Sequence, residues 1–228
     1  MEPGTAPAAA AAPSGRAAVG GYAVNLAVAG RRCVVVGAGR IAARKVEALL
    51  TAGADVLVVA PEPGPRIREW ATQGLLTLEE RPFTPADLDG AWLATAATAD
   101  AGVDRAVAEA AADRRIWVNA ADDAALCTFT RTPEVRRGDL VVTVGTGGRS
   151  PALAAWLRDR AADALGPEWA DLVDLCSEAR EALRAEGRPT EDADWQRAFD
   201  SGILDLIRSG QRAAAKELLQ ACLSSSSA

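Results

Sequence analysis

The chain predicts an α/β fold: a Rossmann-like parallel sheet, then a short β connector, then a C-terminal α-helical module. Three observations carry that prediction. Apolar strand patterns alternate with helical patterns through the first half of the 228 residues. The first strand runs into a G-x-G-x-x-A turn and a helix. Beyond residue 150 only helical spacing remains. Alternating βαβ units imply a parallel sheet with helices on its faces.

Taken in order, Arg32–Val36 is an apolar strand and Gly37-Ala38-Gly39-Arg40-Ile41-Ala42 the turn. Ala43–Ala52 is an amphipathic helix, closed by Gly53. Asp55–Val59, Leu76–Glu80, Trp92–Ala96 and Ile116–Asn119 read as the following strands. Arg66–Gln73 and Ala101–Asp113 read as helices between them. Most of these strands are continuously apolar, as interior parallel strands are. Leu76-Thr77-Leu78-Glu79 alternates, which fits an edge. Leu126–Thr130 and Leu140–Val144 predict two more strands, with a polar, basic stretch from Pro133 to Asp139 between them. Ser150 as N-cap and Pro151 at the first helical position open a helix that runs to Leu165 and stops at Gly166. Pro167 opens the next. Thr190, with Glu191 and Asp192, starts another carrying Trp195 and Phe199, and a last helix begins near Ser209 and fades after Leu223. The expected organisation is a disordered leader over 1–20, a nucleotide-binding domain over 21–119, a β connector over 120–149, a helical domain over 150–223 and a tail over 224–228.

Composition excludes several classes. The net charge of -6 argues against general nucleic-acid binding, while leaving room for a local basic pocket. The chain has no histidine, so acid–base chemistry falls to Asp, Glu, Lys, Tyr, Cys or a cofactor, and a His-based zinc site is excluded. The four cysteines, Cys33, Cys127, Cys176 and Cys222, make no C-x-x-C pair and read as small buried hydrophobes in a reduced compartment. No metal site is expected. No apolar run is long enough to cross a bilayer, so no membrane partner is expected and the expected compartment is the cytoplasm.

The glycine turn carries the clearest chemistry. Gly37 permits the tight turn, Gly39 lets backbone approach a pyrophosphate, and Ala42 is small enough for close helix–strand packing. The helix N-terminus then faces the anion. A strand before the motif, a helix after it and a second strand beyond are the context that a dinucleotide site requires.

Four segments, in this order and spacing, extend that reading: Cys33 to Lys45, Trp92 to Thr98, Asn119-Ala120-Ala121-Asp122, and Val144-Gly145-Thr146-Gly147-Gly148-Arg149-Ser150-Pro151. With them the chain resembles the precorrin-2 dehydrogenase and sirohydrochlorin ferrochelatase family, the N-terminal part of sirohaem synthase. The resemblance covers about residues 22 to 223. It implies NAD-dependent oxidation of precorrin-2 to sirohydrochlorin in tetrapyrrole biosynthesis. It also implies a homodimer, with the connector as dimerisation segment and the helical module contributing to the interface and the substrate cleft. Some relatives also insert a ferrous or cobalt ion. Two readings compete with it: an NAD-sensing module without catalysis, and a chelatase that needs no NAD.

The resemblance and the motif together assign roles. Gly37, Gly39, Arg40 and Ile41 lie under the pyrophosphate. Pro61 and Glu62 lie near the adenosine ribose, although the general fingerprint puts an acid slightly earlier, where Val59 and Ala60 stand. Thr95, Ala96 and Thr98 border the cofactor, and Asn119 fixes the local turn or the nicotinamide amide. Asp122 matches the family's N-x-x-D aspartate and is the expected catalytic carboxylate, with neighbouring Asp123 as its rival. Thr146, Gly147, Gly148, Arg149 and Ser150 suit an anionic substrate. Arg131, Arg136, Arg137 and Arg149 are expected partners for substrate carboxylates.

Overall fold

The computed structural model describes residues 21–191 and 193–224. The leader expected over 1–20, tail residues 225–228 and Asp192 lie outside the described residues. The chain divides into two compact units, the first ending at Arg131 and the second beginning at Thr132.

The first unit is a parallel sheet of order β3-β2-β1-β4-β5. Its strands are β1 (Arg32–Val36), β2 (Asp55–Val59), β3 (Thr77–Glu79), β4 (Leu93–Ala96) and β5 (Trp117–Ala120). Its helices are α1 (Arg40–Thr51), α2 (Pro65–Thr72) and α3 (Ala101–Asp113). Alternate residues of the strands serve opposite faces. Cys33, Val35, Val56 and Val58 pack with Ala42 and Val46 of α1 and Ile67 and Trp70 of α2. Val34, Val36, Leu57, Val59, Ala94 and Val118 pack with Val107 and Ala111 of α3. Both faces being covered explains the unbroken apolar runs. The short, less buried β3 forms the edge that alternation predicts.

Two local readings are corrected. The first helix begins at Arg40 rather than Ala43, because Gly39 already has the extended N-cap conformation. Leu126–Thr130 is not a strand. Ala124–Leu126 forms a 3-10 turn instead, and the segment attaches to β5 through the Thr128 and Phe129 N–H groups, both on the Val118 carbonyl, and through side chains. The Val118 N–H donates to the Thr128 hydroxyl at 2.7 Å and the Ala120 N–H to the Cys127 sulfur at 3.2 Å.

The second unit opens with an antiparallel hairpin of β6 (Glu134–Arg137) and β7 (Leu140–Thr143). Its first strand lies in the stretch expected to be a polar connector; only Val135 is buried there, so apolar periodicity has little to report. The helices are α4 (Pro151–Ala164), α5 (Glu168–Ala185), α6 (Trp195–Phe199), α7 (Ile203–Arg208) and α8 (Arg212–Ser224). Their core joins Leu172, Leu175 and Leu183 of α5 to Ile203, Leu219 and Leu223. The single terminal helix expected from Ser209 is preceded by α7, whose N-cap Gly202 is left-handed.

Candidate functional site

Strand order reverses between β1 and β4, the place where open α/β sheets bind ligands. Gly37 closes β1 there. Its N–H donates to the Val59 carbonyl at 2.9 Å, and its φ is +102°. A Cβ on Gly37 would stand 2.3 Å from the Ala97 carbonyl oxygen, so the chain crossing from β1 admits only glycine. Gly39 is different. Its backbone is ordinary extended chain, and a Cβ there would meet nothing within 4 Å. No side chain caps α1, and its first turn carries no acid. The N–H groups at the start of α1 therefore face open space, with the positive end of the helix dipole behind them.

That space is a cleft of about 730 Å³, within the range of small-molecule sites. Gly37, Gly39, Arg40 and Ile41 line it at the α1 end. Pro61 and Glu62 line it beyond β2, so the acid that stands late in the sequence does reach the cleft. Phe83, Val103 and Ala106 supply an apolar wall that suits a flat base, and no sequence motif marks them. Thr98 also lines the cleft, with its hydroxyl 2.7 Å from a carboxylate oxygen of buried Asp104 and accepting from the Asp100 N–H at 3.1 Å. Thr95 and Ala96 are buried within β4 and are not among the walls. An open glycine cradle, an unmet helix N-terminus and an acid beside an apolar wall fit a dinucleotide.

A second cluster lies at the end of β5, and neither Asn119 nor Asp122 is among the residues that line the cleft. Asn119 is 7% exposed, paired in register with Thr95. Its amide nitrogen donates to the Phe129 carbonyl at 3.1 Å, and its oxygen accepts from Lys45 Nζ of α1 at 2.5 Å. Lys45 titrates below the usual lysine range: loss of hydration is the main cause, the Arg131 cation comes next, and Cys127 and Asp122 oppose them. Sequence alone gives Lys45 no role, although it is one of only two lysines in a chain that otherwise uses arginine.

The two adjacent aspartates separate here. The Asp123 carboxylate accepts from the Ala125 N–H at 2.9 Å and caps the 3-10 turn. Asp122 is exposed just past β5 and accepts no hydrogen bond from any described residue, while its charge acts on Lys45.

In the second unit, the glycine loop before α4 holds itself together. The Thr146 hydroxyl donates to the Ser150 carbonyl at 3.1 Å and accepts from the Ser150 N–H at 3.2 Å. Ser150 Oγ caps α4 by accepting from the Leu153 N–H. Gly147 and Gly148 take positive φ, and Arg149 is exposed between loop and helix. Arg137 is committed elsewhere, donating to the Leu165 and Ala162 carbonyls at the end of α4. Among the described residues no three Cys, Asp or Glu side chains group as a metal cage, and no helix is long and apolar enough to cross a membrane.

Fold, glycine turn and cleft define a Rossmann-type domain, and residues 24–132 match a family model described as putative NAD(P)-binding. Over most of its length the chain is similar to siroheme synthases. It is 40% identical to siroheme synthase of Methylobacillus flagellatus over 196 residues, 85% of this chain and 42% of that protein. It is 38% identical to that of Chromobacterium violaceum over 189 residues, 82% of this chain and 40% of that protein. The chain thus spans less than half the length of these curated relatives. A solved structure titled SirC, precorrin-2 dehydrogenase, shares the fold, with a TM-score of 0.67 at 24% identity over 88% of this chain and 98% of that one.

Proposed function

We propose that this chain binds NAD across the carboxyl ends of its sheet and oxidises precorrin-2 to sirohydrochlorin. The relatives named siroheme synthase and the fold shared with a precorrin-2 dehydrogenase support the substrate. The carrying observation is the open glycine crevice at the carboxyl end of the sheet; Asp122, past the end of β5 and outside the residues that line that crevice, accepts no hydrogen bond from the described residues and is the carboxylate assigned to the chemistry.

Bound NAD supplies the hydride acceptor. The N–H groups of Gly39, Arg40 and Ile41 hold the pyrophosphate, over the turn that Gly37 forms with its own N–H bonded to Val59. Glu62 and Pro61 meet the adenosine ribose; an acid there accepts from a 2′-hydroxyl and repels a 2′-phosphate, which favours NAD over NADP. Asp122 accepts the proton that the oxidised macrocycle must shed, or stabilises its positive charge. Arg131, and in the second unit the Thr146, Gly147, Gly148, Arg149 and Ser150 loop, are assigned to the substrate's acidic groups. Asn119 is assigned to holding the β5 end, since its amide is already spent on Lys45 and Phe129.

A homodimer belongs to the same reading, and exposed Leu153, Trp156 and Leu157 on α4 offer it a surface. Insertion of ferrous or cobalt ion into the product is a second activity that Asp122 could serve by taking pyrrole protons.

The test follows absorbance after mixing the protein with NAD and precorrin-2. Prompt conversion is expected. Asp122→Ala should lose at least about a hundredfold in kcat with NAD affinity nearly intact, in line with the loss of a general base. NAD binding without turnover by the unaltered chain would replace this reading with a sensor, and metal insertion without NAD would replace it with a chelatase. Full activity in Asp122→Ala with loss in Asp123→Ala would transfer the role to the neighbour.

A further inference from the structure

The cluster at the end of β5 contains a cation that no described acid neutralises by contact. Lys45 donates to the neutral amide of Asn119, and that oxygen is held toward it because the Asn119 nitrogen is bound to Phe129. No described carboxylate pairs with its ammonium, so hydrogen-bond donors remain to be satisfied. The ionisable groups around it are Arg44 from α1, and Asp122, Cys127 and Arg131 from the segment after β5. Arg131 and Arg44 act on Lys45 against its charge, and Asp122 and Cys127 favour it. The lowered titration of Lys45, caused first by lost hydration, describes the same state: a half-buried charge short of compensation.

Lys216, the other lysine, is paired with Glu178 at 2.7 Å. Lys45 is therefore the compact cation that the fold leaves for something outside it. A half-buried ammonium in this position is stabilised by an anion that completes its shell.

We infer that Lys45, seated by Asn119, binds a carboxylate of the acidic substrate at the β5 end of the sheet, beside Asp122. The nature of that anion rests on the proposed function, because a tetrapyrrole polycarboxylate brings acid groups to the macrocycle's rim. Lys45 acts here as a donor that keeps its proton, and Asp122 remains the group that accepts one.

The test uses the full chain and uroporphyrin, a polycarboxylate porphyrin, followed by fluorescence. Lys45→Gln should weaken uroporphyrin binding about 10- to 100-fold, the scale of a charge-assisted hydrogen bond. NAD affinity should change less than about twofold, since the pyrophosphate contacts are elsewhere. Lys45→Arg should restore most of the binding. Raising the pH should weaken the unaltered chain as the ammonium loses its proton, whereas Lys45→Arg should stay flat because guanidinium remains charged. With precorrin-2, the loss should appear in KM more than in kcat. Lys45→Met preserves the packing of the side-chain stem and serves if the glutamine variant fails to fold.

Equal binding by the unaltered chain and Lys45→Gln or Lys45→Met overturns the inference, as does an unaltered chain that binds no uroporphyrin. If porphyrin binding responds to Lys45 but precorrin-2 is not oxidised, the subsite stands and the oxidation reading falls. If oxidation is normal and the variants bind as the unaltered chain does, the oxidation reading stands and the subsite falls.

Discussion

Gly37 and Gly39 flank Ala38 and have separable jobs. Gly37 is required by backbone: its φ is +102°, and a Cβ added to it would come within 2.3 Å of the Ala97 carbonyl oxygen. Gly37→Ala should lower stability by at least about 2 kcal/mol, measured by urea unfolding, because left-handed strain and a backbone clash add. Gly39 is required by the ligand alone. Gly39→Asp should leave stability equal or raise it by about a few tenths of a kcal/mol, since aspartate is a slightly better N-cap than glycine. Its NAD affinity should fall at least about tenfold, as the new charge enters the pyrophosphate's place. Unchanged NAD binding in that variant would remove the pyrophosphate from this turn. The motif makes both glycines legible in sequence. It cannot separate Asp122 from Asp123, because their difference is which carboxylate the following turn consumes as a cap.

At the scale of elements, strands are legible where both faces are buried and obscure where side chains carry the attachment. The segment around Cys127 and Thr128 is apolar enough to resemble a strand, yet it binds β5 through a thiol and a hydroxyl as well as two backbone N–H groups that converge on the Val118 carbonyl, which is no strand ladder. A change of direction after Asp123 decides that, and hydropathy does not encode it. The turn between β3 and β4 offers a sharper check. The 3-10 turn over Pro85–Leu88 is held by Asp87, which is 6% exposed, accepts from the Thr84 N–H at 2.8 Å and receives both Arg81 nitrogens at 2.6 and 3.0 Å. The Arg81 hydrogen bonds, opposed by burial and reinforced by Thr84, hold its carboxyl below the ordinary 3.8. A depressed folded-state pKa stabilises above the unfolded value and is lost as pH falls through the folded one. Asp87→Ala should therefore cost about 1–3 kcal/mol at neutral pH, and the gap to the unaltered chain should narrow as pH falls below about 3.8. Urea midpoints across pH measure this; a gap independent of pH would assign Asp87 a packing role only.

At the scale of the molecule, the crevice lies wholly in the unit that ends at Arg131, and every strand of the parallel sheet is in that unit. Residues 1–131 expressed alone should unfold cooperatively and bind NAD within about tenfold of the full chain, while oxidising no precorrin-2. Calorimetry and NAD titration check this. A fragment that fails to fold would make the helical unit part of the sheet's own stability. The apolar exposure of Leu153, Trp156 and Leu157 belongs to the other unit, and sedimentation of the full chain tests whether a second copy covers it.

The order of strands and helices, the glycine turn and the class of ligand are written in the sequence, because each depends on local periodicity or on residues a few positions apart. Resemblance at Asn119 to Asp122 and at Thr146 to Pro151 extends that to a chemistry. Tertiary structure alone decided which acids reach open space, since that depends on what the neighbouring backbone consumes. It brought Glu62 to the cleft, buried Thr95 and Ala96, spent Asp123 on a cap and set Lys45 against Asn119, which stands 74 residues further along the chain.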